Sequence, residues 1–148
     1  MSRRNLFLIL LTVLASSGVA VAADWQTDYA RALERAKAEN KRVLLDFTGS
    51  DWCGPCKQFA HDVLHRPAFL AYADKHLVLV DVDYPQRKKQ SAELVKQNAR
   101  LATQYGINEK GYPTVVLLDP AGKTIREFSG YEGETVADFI AWIEGKAK

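Results

Sequence analysis

Three short apolar runs constrain the fold of this chain more than any other feature. They occupy residues 42–47 (RVLLDF), 77–83 (LVLVDVD) and 114–118 (TVVLL). Runs of this length that are rich in Val and Leu are typical of strands buried on both faces. Turn residues follow the third run at 119–123 (DPAGK), so residues 124–129 are predicted to form its hairpin partner. A central sheet of four to five strands is therefore expected.

Helical patterns lie before, between and after these runs, over residues 24–40, 53–65, 91–105 and 134–144. Asp24 is expected to cap the first helix, and Pro67 marks a kink or a restart of the second helix toward His76. Helices that connect strands produce parallel pairings, whereas the hairpin adds an antiparallel edge. The predicted fold class is α/β, with a mixed sheet flanked by helices and a helical extension at the N-terminus.

The N-terminus has the three parts of a signal peptide. A basic stretch, Ser2-Arg3-Arg4, precedes an apolar run at 6–15 and small residues that end at Ala23. Cleavage is expected after Ala22 or Ala23, and the cleaved protein is expected in the periplasm or another exported location. An uncleaved membrane anchor is the alternative, although the apolar run is shorter than the ~20 residues that span a bilayer. The expected division is a signal peptide over residues 1–22 and one globular domain over residues 23–148.

Composition and charge exclude several classes of function. The 148 residues are 47% hydrophobic and 26% charged, which is typical of a soluble domain and not of a disordered or multi-spanning protein. Removal of residues 1–22 deletes two arginines and no acidic residue, so the formal charge falls from +2 to 0. The cluster Arg87-Lys88-Lys89 is too short to bind a polyanion. No nucleic-acid partner is expected, and a monomer is predicted.

The chain has only two cysteines, Cys53 and Cys56, and they lie three positions apart. A bridge that closes so short a loop removes little entropy from the unfolded chain, so a stapling role explains it poorly. The unpaired N–H groups at a helix start favour thiolate over thiol. Cys53 is therefore predicted to be the nucleophile, and Cys56 the cysteine that resolves a mixed disulfide.

Three other interpretations of the cysteine pair stay open. Cys53, Cys56, His61 and His65 could form a zinc site, but their spacer is far shorter than the ~12–15 residues of finger-type sites. The pair could also be a purely structural disulfide. A copper-handling role is the third, without a Met-rich or His-rich tract to support it. Neither a metal nor a cofactor is expected.

The segment 43–57 (VLLDFTGSDWCGPCK), together with 111–114 (GYPT) and Gly130, resembles the thioredoxin superfamily. The resemblance covers nearly all of the chain after the signal peptide. The loop in this segment is similar to that of exported thioredoxin-like proteins and of the C-terminal domain of membrane-bound disulfide reductases. It implies a thioredoxin fold and protein-disulfide oxidoreductase activity.

The resemblance also implies roles for single residues. Asp46 corresponds to the buried carboxylate that assists proton transfer at the second cysteine, here Cys56. A satisfied aspartate at a strand end is the alternative. Pro113 corresponds to the cis-proline that faces the cysteines, and an ordinary trans turn proline is its alternative. The implied docking surface for a substrate consists of Trp52, Tyr112, Pro113 and Gly130.

The partner and the direction of electron flow are predicted from the same resemblance. Disulfide-containing exported proteins are the expected substrates, with a membrane disulfide reductase as the electron donor. Gly54-Pro55 is the dipeptide of reducing thioredoxins, which favours a reductase over an oxidase or isomerase. A non-catalytic binding module of the same fold is the rival from another class. The polar loop 48–51 and Tyr112 depart from typical thioredoxins and predict a different docking surface.

Overall fold

The computed structural model describes residues 23–146, so the predicted signal peptide over residues 1–22 lies outside the described residues. The strands are β1 (Trp25–Gln26), β2 (Arg42–Thr48), β3 (Leu77–Asp83), β4 (Thr114–Leu118) and β5 (Thr124–Ser129). The helices are α1 (Tyr29–Glu39), α2 (Gly54–Phe59), α3 (Pro67–His76), α4 (Ala92–Tyr105), α5 (Ile107–Lys110) and α6 (Val136–Ile143). A π-helical segment, Ala60–Leu64, continues α2.

The five strands form one mixed sheet in the order β1-β3-β2-β4-β5. β3 runs parallel to both β1 and β2, and β4 runs antiparallel to β2 and to β5. The antiparallel arrangement therefore extends beyond the predicted hairpin to the β2–β4 pair. The connection through α4 and α5 carries the chain from β3 past β2, so β4 enters on the far side of β2 in the opposite direction.

The predicted cap and start of the first helix were wrong. Asp28 is the N-cap residue, and its side chain accepts a hydrogen bond from the backbone N–H of Arg31 at 3.1 Å. Trp25 and Gln26, which the helical pattern placed in the helix, pair with β3 as a short strand. The backbone groups along the outer edge of β3 gain partners in this way, and this tertiary pairing outweighs the local helical pattern.

The two faces of the sheet carry separate cores because side chains alternate along each strand. On β2, Val43, Leu45 and Phe47 pack with α1 and α4. Leu44 points to the other face. There, side chains of the helices after the cysteine pair and of α6, several of them aromatic, form the second core. Asp46 lies on this second face as well, two residues beyond Leu44. Among residues 23–146, no helix combines the length and apolar character needed to cross a membrane.

Candidate active site

The cysteine pair lies where the loop after β2 enters α2. Cys53 is the N-cap residue of α2, and its Sγ accepts a hydrogen bond from the backbone N–H of Cys56 at 3.3 Å. Pro55 lies in the first turn, where a missing N–H is tolerated. The two sulfurs are joined in a disulfide, and both residues are buried. After reduction, the same N–H would favour the Cys53 thiolate, so the arrangement is suited to reversible thiol–disulfide exchange.

Pro113 lies at the same edge of the sheet as the cysteine loop. β4 begins at Thr114, which pairs with Phe47 near the end of antiparallel β2. The Tyr112–Pro113 peptide bond is cis, the isomer that the resemblance implies. Gly130 donates its backbone N–H to the Pro113 carbonyl oxygen at 2.8 Å. The structure thus brings Pro113 and Gly130 together at the edge where β2 ends.

An aromatic cluster, formed by Trp52, Tyr84 and Tyr112, flanks the cysteine pair. The Trp52 and Tyr112 rings meet edge to face at 5.5 Å between centroids, and Tyr84 lies equally close to Tyr112. The Trp52 Nε1 donates a hydrogen bond to the Tyr84 carbonyl oxygen at 2.7 Å. Sequence reasoning identified Trp52 and Tyr112 but missed Tyr84. Tyr84 joins this cluster only because segments about thirty residues apart in sequence lie side by side in the fold.

The polar residues of the loop before Trp52 hold this loop against the segment that follows β3. The Asp83 carboxylate accepts hydrogen bonds from the Ser50 N–H at 2.8 Å and its hydroxyl at 2.6 Å. Asp51 accepts the backbone N–H groups of Gln86, Arg87 and Lys88, and these bonds lower the pKa of its carboxyl, the Gln86 bond most. β2 and β3 are neighbouring parallel strands whose ends meet at one edge, so their following loops could have been paired from sequence.

Gly49 allows the Trp52 ring to approach the loop backbone. A Cβ at this position would lie 2.6 Å from the Trp52 Nε1, closer than real Cβ contacts allow. The Gly49 carbonyl also accepts the N–H groups of Trp52 and Cys53. Sequence reasoning treated Gly49 only as part of the polar loop 48–51. Glycine is required at this position because the Trp52 ring packs against it across the loop, and the local sequence does not reveal this packing.

We expect Gly49→Ala to displace the Trp52 ring and break its bond to Tyr84. The forced repacking should lower the free energy of unfolding by about 1–3 kcal/mol, measured by urea denaturation of the oxidised protein. Tryptophan fluorescence should change in parallel. Gly54→Ala is the matched control for stability, since a Cβ there meets nothing within 4 Å. Equal stability of Gly49→Ala and wild type would contradict the proposed close contact.

Asp46 lies on the inner side of the cysteine pair. It is only 7% exposed, and its Oδ1 finds no hydrogen-bond partner within residues 23–146. Burial, and then the charges of Asp81 and Asp83, raise the pKa of its carboxyl to about 8. Asp46 and Cys56 line the same pocket, which has a volume of about 570 Å³. A carboxyl whose pKa is raised in this way can exchange a proton near neutral pH.

The histidines of the alternative zinc set line the same pocket as Cys56, but each has another neighbour. His61 is exposed and lies 2.7 Å from an Asp62 carboxylate oxygen. His65 stands edge to face against Trp25. Within the described range 23–146, no group of three or more His, Cys, Asp or Glu side chains is placed to hold a metal ion. The sulfurs that such a site would need are bonded to each other.

The chain is similar to known proteins in both sequence and structure. A family model described as "Thioredoxin-like" matches residues 24–120. "Disulfide bond reductase DsbH" of Chlamydia pneumoniae is 35% identical over 124 residues, which cover 84% of this chain and 72% of that protein. "Thioredoxin-related protein DsbJ" of the same organism is 32% identical over 111 residues, or 75% of this chain but only 31% of that protein. The solved structure of "DsbH Oxidoreductase" superimposes with a TM-score of 0.78 at 32% identity, covering 98% of this chain and 94% of that one.

Proposed function

Since the chain belongs to the thioredoxin-like family, we propose that it reduces disulfide bonds in exported proteins, with Cys53 as the nucleophile and Cys56 as the resolving cysteine. The predicted thioredoxin fold is confirmed by the family match and by the superposition on a related oxidoreductase. With its Cys53–Cys56 disulfide, the chain is a thioredoxin-like thiol–disulfide oxidoreductase.

The reaction begins with the reduced protein and a disulfide of the substrate. The Cys53 thiolate attacks one substrate sulfur, the substrate disulfide breaks, and the other substrate sulfur leaves as a thiolate. The Cys56 thiol then loses its proton to Asp46 and attacks the Cys53 Sγ. The bond between Cys53 and the substrate breaks, the second substrate thiolate leaves, and the Cys53–Cys56 disulfide remains. The observation that carries this proposal is the cysteine pair at a helix start, with Asp46 in the pocket behind it.

Substrate docking is assigned to the rim formed by Trp52, Tyr112, Pro113 and Gly130. Pro113 has no N–H to present toward the sulfurs, so an extended substrate segment can lie beside it and pair with the backbone of Tyr112. The aromatic cluster supplies apolar contact area on one side of this rim. The hydrogen bonds from Ser50, and those accepted by Asp51, hold the loop in place, so little ordering is required when a substrate binds.

The direction of electron flow is proposed from two observations. Gly54-Pro55 between the cysteines is typical of reducing thioredoxins, and a relative that is 35% identical bears the name of a disulfide bond reductase. The predicted signal peptide over residues 1–22 assigns the reaction to the periplasm or another exported location. A reductase in that location must be reduced again after each cycle, and a membrane disulfide reductase is the proposed donor.

A trapping experiment tests the substrate and direction. Cys56→Ser keeps the first attack but cannot resolve the mixed disulfide, so it should accumulate covalent adducts with oxidised exported proteins. The double variant Cys53→Ser/Cys56→Ser is the control and should capture none. The reduction potential should lie nearer to the about −270 mV of thioredoxin than to the about −120 mV of strong oxidants. A potential at the oxidising end, with no adducts trapped, would show that the assigned direction is wrong.

A further inference from the structure

Two carboxylates face each other in the pocket behind the disulfide. Asp46 of β2 and Asp81 of β3 are register partners in the parallel pair. Register partners on neighbouring strands lie about 5 Å apart and project from the same face of the sheet. Asp46, Asp81 and Cys56 all line the same pocket. The pocket thus connects the resolving cysteine with two acidic side chains, of which sequence reasoning identified only Asp46.

The two carboxylates differ in their access to solvent. Asp46 is more than nine-tenths buried, and its Oδ1 is unpartnered within residues 23–146. Asp81 lines the same pocket but is partly exposed. Asp83, the third acidic residue on this face, accepts both hydrogen bonds from Ser50 and holds the loop. Asp83 therefore has a structural role in the loop. Asp81 is the acidic neighbour whose charge can act on Asp46 without such a role.

The cations around the pocket do not neutralise this pair directly. The positively charged or titratable groups that face the pocket or its rim are Lys57 of α2, His61 of the π-helical segment, His65 and Arg66 before α3, and Lys88 after β3. Within the part of the chain that the structure describes, none of them forms an ion pair with Asp46 or Asp81. Two like charges so placed hinder each other's ionisation.

We propose that Asp81 is a positioning residue of the active site: its carboxylate, acting on Asp46 across the pocket, sets the pH above which Asp46 can take the proton from Cys56. The inference rests on the proposed proton transfer from Cys56 to Asp46. No further reactant is needed, since the proton moves from the Cys56 Sγ to an Asp46 oxygen and later to solvent. Burial raises the pKa of the Asp46 carboxyl to about 8 and the charge of Asp81 adds to this rise, in agreement with such an effect.

The test replaces Asp81 and follows Asp46 directly. In Asp81→Asn the negative charge is lost while the side-chain shape is kept, so Asp46 should lose its proton at a pH about one to two units lower. The carboxyl carbon of Asp46 is titrated by carbon-13 NMR in the oxidised protein. The rate at which the reduced protein is oxidised by hydroxyethyl disulfide, an uncharged probe, is measured from pH 5 to 10. The limb of this rate profile that depends on Asp46 should move to lower pH by the same amount.

Matched variants separate this effect from general ones. Glu93→Gln removes the same charge from an exposed site on α4, across the sheet, and should leave both readouts unchanged. Asp81→Glu keeps the charge and should restore most of the wild-type profile. Asp81→Ser replaces Asp81→Asn if circular dichroism shows that the latter does not fold. An unchanged Asp46 titration, or a shifted titration with an unchanged rate profile, would overturn the inference.

The same set of variants distinguishes a failure of the Asp81 proposal from a failure of the proposed function. Asp46→Asn should remove the limb of the rate profile altogether. If Asp46→Asn removes the limb and Asp81→Asn does not move it, the proton role of Asp46 stands and that of Asp81 is wrong. If Asp46→Asn leaves the profile intact, the proposed transfer from Cys56 to Asp46 fails, and the role of Asp81 fails with it.

Discussion

Replacing Cys53 with serine is expected to abolish disulfide reduction. A serine hydroxyl does not ionise near neutral pH and cannot form the mixed disulfide, so the first step of exchange is lost. In an insulin reduction assay with dithiothreitol, the variant should precipitate insulin no faster than dithiothreitol alone. The wild-type protein should accelerate the reaction markedly, because its thiolate is favoured by the Cys56 N–H at 3.3 Å.

Two controls separate the loss of the Cys53 nucleophile from a general loss of folded protein. Cys56→Ser loses turnover as well but should form a trapped adduct with the substrate, which Cys53→Ser cannot do. Thermal unfolding under reducing conditions, where no variant contains the disulfide, should show similar stability for both variants and the wild type. If the wild-type protein reduces insulin no faster than dithiothreitol alone and Cys53→Ser behaves in the same way, the rival interpretation is favoured, a binding module that keeps the fold without its chemistry.

The stability of the oxidised protein is expected to fall as the pH rises through neutrality, and Asp46→Asn should largely remove this fall. In the folded state the pKa of Asp46 is raised to about 8, against an ordinary value of 3.8. The folded state therefore binds more protons than the unfolded state between these values, and the free energy of unfolding decreases with pH. The stabilising effect is complete below pH 3.8 and is lost as the pH rises through about 8.

The size of this effect follows from the change in proton affinity. At about 1.4 kcal/mol for each tenfold change, the decline is on the order of 5 kcal/mol. Asp81, whose pKa is raised to about 6, adds a smaller decline in the same direction. The measurement is urea denaturation of the oxidised proteins at a series of pH values. Glu93→Gln should show the wild-type decline, and a parallel decline in Asp46→Asn would mean that another group is responsible.

Much of the sheet was predictable because its strands are local apolar runs. The residues of β3 and β4 coincide with predicted apolar runs, and β2 extends only one residue further, to Thr48; β5 coincides with the hairpin partner predicted from the turn residues. The starts of the first and last helices were less predictable. Asp28, not Asp24, caps α1, since Trp25 and Gln26 are drawn into pairing with β3. A pairing partner 54 residues away in sequence leaves no local signal that competes with a helical pattern.

The residues of the active site also differ in how well the sequence predicted them. Cys53 and Cys56 were recognisable from their spacing and their place at a helix start. Asp46 stood out as the one acidic residue in an apolar strand. Asp81 also interrupts an apolar run, but it was treated only as part of a strand. Its importance comes from the register that places it opposite Asp46, and a sequence read alone does not specify that register.

The sequence by itself therefore determined the cysteine pair, the apolar strands and the kind of chemistry, because each depends on residues close together in the chain. The tertiary structure alone decided what surrounds that chemistry. It set the aromatic cluster of Trp52, Tyr84 and Tyr112 and the contact between Gly49 and Trp52. It also placed two carboxylates behind Cys56. These arrangements depend on packing and electrostatics between segments that meet only when the sheet forms, so their effects on proton affinity emerge in the folded protein.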